Sequence, residues 1–147
     1  MQIPHIGGLM LLCAITAGCV EKSVAPVAAV QEPLFYANTC VGQESGDVAG
    51  YVVIVQGGAA QPSISLSWSE GSLKGPAAAT VTDYDPTSGR LAFLVHIEDG
   101  DFHFSGKIQN DRLEGTISSP WDAGSKQRLQ LRVRPRQNAY EPTVKCR

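Results

Sequence analysis

The sequence has no surplus of positive charge and none of the short motifs that mark the common enzyme classes. Lys and Arg number 12 against 14 Asp and Glu, which gives a formal net charge of −2. Nucleic-acid-binding proteins are usually basic overall or along one face, so no nucleic-acid partner is expected. The chain contains no GxSxG, SxxK, HExxH or glycine-rich phosphate loop. We therefore predict a protein that is not an enzyme and that needs no cofactor.

Helical periodicity is missing as well. No window has apolar residues at i, i+3, i+4 and i+7, whereas short alternating runs are separated by turn residues about every ten positions. This pattern is typical of strands, and we predict an all-β chain. Seven segments show it clearly and an eighth shows it weakly. The seven are 51–55, 63–69, 77–84, three within 90–118, and 127–134, and the eighth is 35–41.

The segment 90–118 predicts a meander of three antiparallel strands with turns at 99–100 and 110–111. A two-residue loop fixes every cross-strand pair beyond it, and both turns place the same apolar face inward. The predicted pairs are Glu98 with Asp101, Ile97 with Phe102, His96 with His103, Val95 with Phe104, Ile108 with Leu113, Lys107 with Glu114, and Gly106 with Gly115. The polar side chains and both histidines then lie outside.

Closure into a small antiparallel up-and-down barrel of seven to eight strands is the predicted fold. A flat sheet of this size would leave one apolar face and two edges uncovered, and closure removes both problems. Gly106 opposite Gly115 on the inward face suits the sharp coil that closure needs. The outline is similar to that of small calycin-type barrels, although no family motif supports the likeness. A two-sheet β-sandwich is the alternative.

The N-terminal segment predicts export. Residues 6–17 form an apolar run that is too short to span a bilayer, as in a signal-peptide core. Ala17, Gly18 and Cys19 resemble the lipobox of bacterial lipoproteins, which implies that Cys19 becomes the lipidated first residue of the mature chain. Val20 after it implies the outer membrane, at its periplasmic face or at the cell surface. A plain secretory signal cleaved near the same point is the alternative.

The chain is thereby divided into a signal peptide (1–18), a tether (19–33) and a single β domain (34–147). Of the four cysteines, Cys13 lies in the removed segment and Cys19 is assigned to the lipid. An exported chain folds in an oxidising compartment, so Cys40 and Cys146 are predicted to form a disulfide that joins the start of the domain to its end.

The tip of the first hairpin is a candidate metal site. The predicted register brings His96 opposite His103 and Glu98 opposite Asp101 on the polar face. Opposed Cβ atoms lie about 4.5 to 5.5 Å apart, close enough for two imidazoles and a carboxylate to share one divalent cation, with zinc or copper favoured. The alternative is a set of solvated charges of the kind that is common at strand tips.

The last strand carries a second candidate site. Arg128, Arg132 and Arg134 project from one face, with Lys126 and Arg136 beside them. Such a row could contact phospholipid headgroups, an anionic polysaccharide or an acidic protein. It could equally be a solvated outer face, or an edge protected by charge.

The combined prediction is a non-catalytic lipoprotein of the cell envelope, held on the membrane by its lipid, that acts as a protein-binding or inhibitory module. A carrier of a small apolar ligand inside the barrel and a purely structural envelope component are the alternatives. Side chains able to fill the interior favour surface binding. They are Phe93, Phe102, Phe104, Ile108, Leu113 and Leu129.

Overall fold

The computed structural model of the chain describes residues 31–57, 61–69, 71–122 and 124–146. The predicted signal peptide, Cys19 and the tether up to residue 30 lie outside these residues. No helix within the described ranges is long and apolar enough to cross a membrane. The elements in chain order are β1 (Leu34–Ala37), β2 (Cys40–Val41), β3 (Val48–Ala49), β4 (Tyr51–Gln56), β5 (Ser63–Ser69), β6 (Leu73–Ala78), β7 (Thr80–Asp85), β8 (Arg90–Ile97), β9 (Gly100–Gln109), β10 (Arg112–Ser118), β11 (Gln127–Arg134) and α1 (Arg136–Tyr140).

Nine strands form one antiparallel sheet in the order β6-β5-β4-β1-β11-β10-β9-β8-β7. Its edge strands β6 and β7 are separated in the chain only by Ala79, whose amide donates to the carbonyl of Ile64 at 2.9 Å. One nearly continuous segment therefore pairs first with β5 and then with β8. The sheet curls into a nearly closed barrel, which confirms the predicted all-β barrel. The predicted strand 77–84 is divided between β6 and β7 because its two halves have different partners.

The turn at 110–111 fixes the register that the sequence predicts. Ile108 lies opposite Leu113, and Gly106 lies opposite Gly115. Asn110 adopts a φ of 55°, which a short polar side chain tolerates. The second hairpin of the meander is therefore confirmed pair by pair.

In the first hairpin, each cross-strand partner differs from the predicted one by two residues. Its closing pair is Ile97 with Gly100, so residues 98 and 99 form the loop and every pair beyond it is displaced. The positive φ falls on Gly100, at 131°, and on neither loop residue. A glycine that follows two loop residues of ordinary φ gives a different register from a loop that contains the glycine. A displacement of two leaves each side chain on its predicted face, so the interior remains as expected.

The inward side chains form one core. The rings of Phe93 and Phe104 stack across β8 and β9 with centroids 4.8 Å apart. A Cβ atom on Gly106 would lie 2.7 Å from Cζ of Phe104 and 2.7 Å from Cα of Gly115, so the paired glycines leave the room that the ring occupies. The buried members of the core are Tyr36, Val53, Ile64, Leu66, Trp68, Leu91, Phe93, Val95, Phe102, Phe104, Leu113, Ile117, Leu129 and Leu131.

A smaller second core covers the outside of β1 and β4. Helix α1 packs there, with Ala139 buried against Ala37 and Val52 and with the rings of Phe35 and Tyr140 edge to face at 6.2 Å. The apolar run of β4 is thus covered on both faces, as its sequence indicates. The sequence did not predict α1, because five residues with one buried side chain show no helical period.

A disulfide between Cys40 and Cys146 confirms the predicted pairing, with Cα atoms 5.0 Å apart. The C-terminal segment is also held by the backbone. The amide of Val41 donates to the carbonyl of Val144 at 2.8 Å, and the amide of Cys146 donates to the carbonyl of Val41 at 3.0 Å. The segment after α1 is therefore tied to the start of the β domain.

Removal of the disulfide is expected to destabilise the domain substantially. The bridge joins residues 106 apart in sequence, and closing a loop of that length contributes about 4 to 5 kcal/mol in the chain-entropy model. Cys40→Ser/Cys146→Ser should lower the melting temperature markedly in calorimetry, and reduction of the parent should have the same effect. An unchanged melting temperature in both would show that the bridge does not stabilise the fold.

Gly115→Ala is expected to destabilise the barrel by about 1 to 3 kcal/mol, since overpacking a core has that cost. The added Cβ would lie 2.4 Å from the carbonyl oxygen of Ser105, 2.7 Å from Cα of Gly106 and 3.0 Å from Cε2 of Phe104. Ser105→Ala, on the outward face beside it, is the control and should cost less. Chemical denaturation measures both, and equal effects would contradict the packing described above.

Candidate functional site

The outer wall formed by β8 to β11 carries short side chains bordered by cations. One cross-strand row runs from Ala92 through Ser105 and Thr116 to Arg128. The next row runs from Arg90 through Lys107 to Glu114, again with directly opposed residues. Small residues in one row beside long ones in the next leave a depression in the wall.

This depression, which we call the basic groove, has a volume of about 790 Å³. Its bottom lies over Gly106 and Gly115, where a side chain would point into the barrel. Its lining residues are Ser88, Arg90, Gly106, Lys107, Glu114, Gly115, Thr116, Lys126 and Arg128. Four of the nine are cations and one is an anion, so the groove has a positive balance.

The cations of the basic groove differ in their partners. Arg90 donates to the carboxylate of Asp83 at 2.5 Å, and this hydrogen bond together with the nearby charge raises the pKa of Arg90. Within the described ranges, the side chains of Lys107, Lys126 and Arg128 have no hydrogen bond or ion pair. Three side chains are therefore available to an anion.

The structure divides the predicted arginine row between two places. Arg128 lies in the basic groove, and Arg132 is exposed opposite Arg112 and Ala37. Arg134 lies at the far end of β11, opposite Phe35. The sequence pattern of one strand could not show that Lys107 and Arg90 come from neighbouring strands to join Arg128. The register of the whole meander was needed for that.

At the hairpin tip, the arrangement predicted for a metal is not formed. His96 lies opposite Asp101, with its Nδ1 2.5 Å from Oδ1 of that carboxylate, and His103 lies opposite Leu94. The predicted pairs of His96 with His103 and of Glu98 with Asp101 are wrong because the loop lies one residue earlier than predicted, which displaces every cross-strand partner by two residues. Nowhere in the described chain do three or more His, Cys, Asp or Glu side chains come together as metal ligands could.

Two of the four serines of β5 have side-chain partners that hold other elements. Ser67 is buried, with its hydroxyl 3.5 Å from the hydroxyl of Tyr140 on α1. Ser69 donates to the carbonyl of Val48 in β3, which pairs with β2 in a separate small hairpin. The His96 side chain is 83% exposed and is paired with a carboxylate on the hairpin. The contacts of Ser67 and Ser69 hold α1 and β3 against the barrel.

An aromatic cluster closes the end of the barrel at the loop 119–126. The ring of Phe102 packs against Trp68 at 5.2 Å and against Trp121 at 5.5 Å. Tyr51 meets the same ring edge to face at 6.4 Å, and its pKa is raised by burial and by the charge of Asp122. Trp121 therefore lies over a filled core.

The opposite end carries exposed apolar side chains where the chain enters β1. We call this surface the tether patch. A notch of about 410 Å³ lies between the start of β1 and the end of β11, and an apolar groove of about 620 Å³ adjoins it beneath α1. Leu34 is 44% exposed and Val133 is 37% exposed. The patch consists of Pro33, Leu34, Phe35, Val133, Arg134 and Arg136.

Comparison of the chain with protein-family models, with curated proteins and with solved structures finds no match. The function is therefore argued from the geometry of the described residues. Two surfaces offer more than structural contacts. They are the basic groove on the wall of the barrel and the tether patch at its end.

Proposed function

We propose that the protein is a non-catalytic, lipid-anchored module of the bacterial cell envelope that binds an acidic segment of another envelope protein in its basic groove. The observation that carries this proposal is a set of three cations beside Thr116 in one depression, none of which has a side-chain partner in the described part of the chain. They are Lys107, Lys126 and Arg128. Cationic donors with hydroxyls are suited to carboxylates, since charge-assisted hydrogen bonds are the stronger ones.

The basic groove is not a by-product of a basic protein. The chain has a net charge of −2 and a pI of about 5.9, yet these cations share one depression with a single carboxylate. Like charges directly opposite each other in a sheet are unfavourable, and Arg90 faces Lys107 across β8 and β9. Asp83 offsets the charge of Arg90. Glu114 lies opposite Lys107, but its carboxylate is 3.7 Å from Arg112 and forms no ion pair with Lys107. Such complementarity chiefly sets partner choice and association rate.

A carrier of an apolar ligand is the second candidate, and the packing of the interior argues against it. Phe93, Phe102 and Phe104 are buried in one continuous core with the other inward side chains. With β6 and β7 counted as one continuous segment, the barrel has eight strands around it. A barrel of that size has an interior just wide enough for side chains to fill. The basic groove and the tether patch both lie on the outside of this filled interior.

The anchor is proposed from the N-terminal sequence. Ala17, Gly18 and Cys19 have the lipobox pattern, and the apolar run before them is that of a signal peptide. Acyl chains on Cys19 would hold the domain at the membrane without a spanning helix. An inhibitory role would need no further chemistry, because occupation of an acidic segment of the partner would be sufficient.

Reversing charges in the basic groove should weaken binding of an acidic peptide. For Lys107→Glu/Arg128→Glu we expect about a tenfold higher Kd for a fluorescent oligoglutamate, which corresponds to about 1.4 kcal/mol from two surface charges. The loss should shrink as salt is added, because salt screens exposed charges. Fluorescence anisotropy measures both effects.

The matched control is Lys74→Glu/Lys145→Glu, which makes the same change of net charge with two exposed lysines outside the basic groove. This control should bind the peptide nearly as well as the parent does. An equal loss in both variants would mean that only net charge matters. No binding by the parent, or binding of an anionic polysaccharide in its place, would also contradict the proposal.

Cys19→Ala is expected to release the protein from the membrane fraction, because the lipid would have no attachment site. Cell fractionation followed by immunoblotting measures the distribution. Cys13→Ala, in the segment that is removed, is the matched control and should leave the protein with the membranes. Membrane association of the Cys19→Ala variant would show that the anchor is something else.

A further inference from the structure

The tether patch lies where the domain meets its proposed anchor. Strand β1 begins at Leu34, fifteen residues after Cys19. Even fully extended, that length of chain reaches only about 50 Å. A lipid on Cys19 would therefore hold the barrel within about 50 Å of the bilayer surface, and the surface that contacts the membrane then decides its orientation. The lipid would give the barrel a high effective concentration at the membrane, so a contact that is weak in solution would be enough to fix the orientation of the barrel.

The apolar part of the tether patch is exposed because the barrel ends there. Val133 lies opposite Tyr36, a buried core residue, and Leu34 lies opposite Val55. Both apolar side chains thus continue the inward faces of β1 and β11 beyond the last covered layer of the core. Four large apolar side chains in the described ranges are exposed, and these two share one notch.

The charges that border the patch complement an anionic membrane. Arg134 and Arg136 line the same notch as Leu34 and Val133, and Glu32 is its one acidic residue. Neither arginine side chain has an ion pair or hydrogen bond within the part of the chain that is described. Apolar side chains next to arginines are suited to a membrane surface, where long cationic side chains reach the headgroups while their stems stay in apolar surroundings.

We infer that the tether patch rests on anionic phospholipid, so that the barrel stands on the membrane by this end. The inference goes beyond the proposed partner binding and rests only on the lipid-anchor part of the proposed function. In this orientation the aromatic end at the loop 119–126 points away from the bilayer. The basic groove, on the side wall, faces the space in which another envelope protein would approach.

Spin labels on the lipidated full-length mature chain test this orientation. One label is placed by Val133→Cys in the tether patch and another, in a separate sample, by Ser125→Cys in the loop at the opposite end. The protein is reconstituted into vesicles of phosphatidylethanolamine with phosphatidylglycerol. We expect the label at position 133 to be more accessible to oxygen than to an aqueous nickel chelate, and the label at position 125 to show the reverse. Aqueous exposure of both labels would overturn the inference.

The charge contribution is tested with reversed arginines. In the Val133→Cys background, Arg134→Glu/Arg136→Glu should return the label to an aqueous environment, as should vesicles of phosphatidylcholine alone. Arg128→Glu/Arg132→Glu, on the same strand but outside the notch, is the matched control and should leave the label membrane-facing. An equal effect of the two variants would overturn the inference, and melting temperatures must show that both fold.

The two proposals fail separately. The mass of the N-terminal peptide reports the lipid on Cys19, and its absence would overturn both the anchor and the membrane contact. Titration with oligoglutamate reports the basic groove, and Arg134→Glu/Arg136→Glu should leave that Kd unchanged. A tether patch in water on a lipidated protein that still binds the acidic peptide would overturn the inference alone.

Discussion

The packing of Phe104 against a pair of glycines is the constraint on which the rest of the structure depends. Gly106 and Gly115 face each other across β9 and β10, and a Cβ atom on either would come within 3.0 Å of the Phe104 ring. The ring can therefore enter the barrel and stack on Phe93. With the interior filled in this way, the surfaces that we propose for binding lie on the outside of the barrel. The basic groove lies over the same two glycines, so one feature of the backbone serves the core and the candidate site.

The outside of the barrel is used in three different ways. Helix α1 and the disulfide cover β1 and β4 and tie the C-terminal segment to the start of the domain. The wall of β8 to β11 carries the cations that have no side-chain partner among the described residues. The end at Leu34 and Val133 keeps apolar side chains exposed beside Arg134. With the proposed lipid anchor and membrane contact, the basic groove would face sideways and the tether patch would be covered by the bilayer.

The fold could be predicted more completely than the candidate site, because the fold depends on the face of each side chain whereas the site depends on individual cross-strand pairs. Alternation has a period of two, so the first hairpin could be wrong by two residues and still give the correct interior. The metal hypothesis depended on individual pairs, and the same displacement parts His96 from His103. Helix α1 was too short to leave a period. The basic groove needed the register of four strands, whereas the sequence showed only the cations of β11.

The central proposal is that an acidic partner binds on the outer wall of the barrel and not in its interior. Chemical-shift mapping of the isotope-labelled protein during titration with oligoglutamate tests this claim directly. The account predicts that perturbed amides and side chains cluster at Lys107, Thr116, Lys126 and Arg128, with the resonances of Phe93, Phe102 and Leu131 unchanged. Shifts concentrated on those buried residues, or on the loop at the aromatic end, would contradict it.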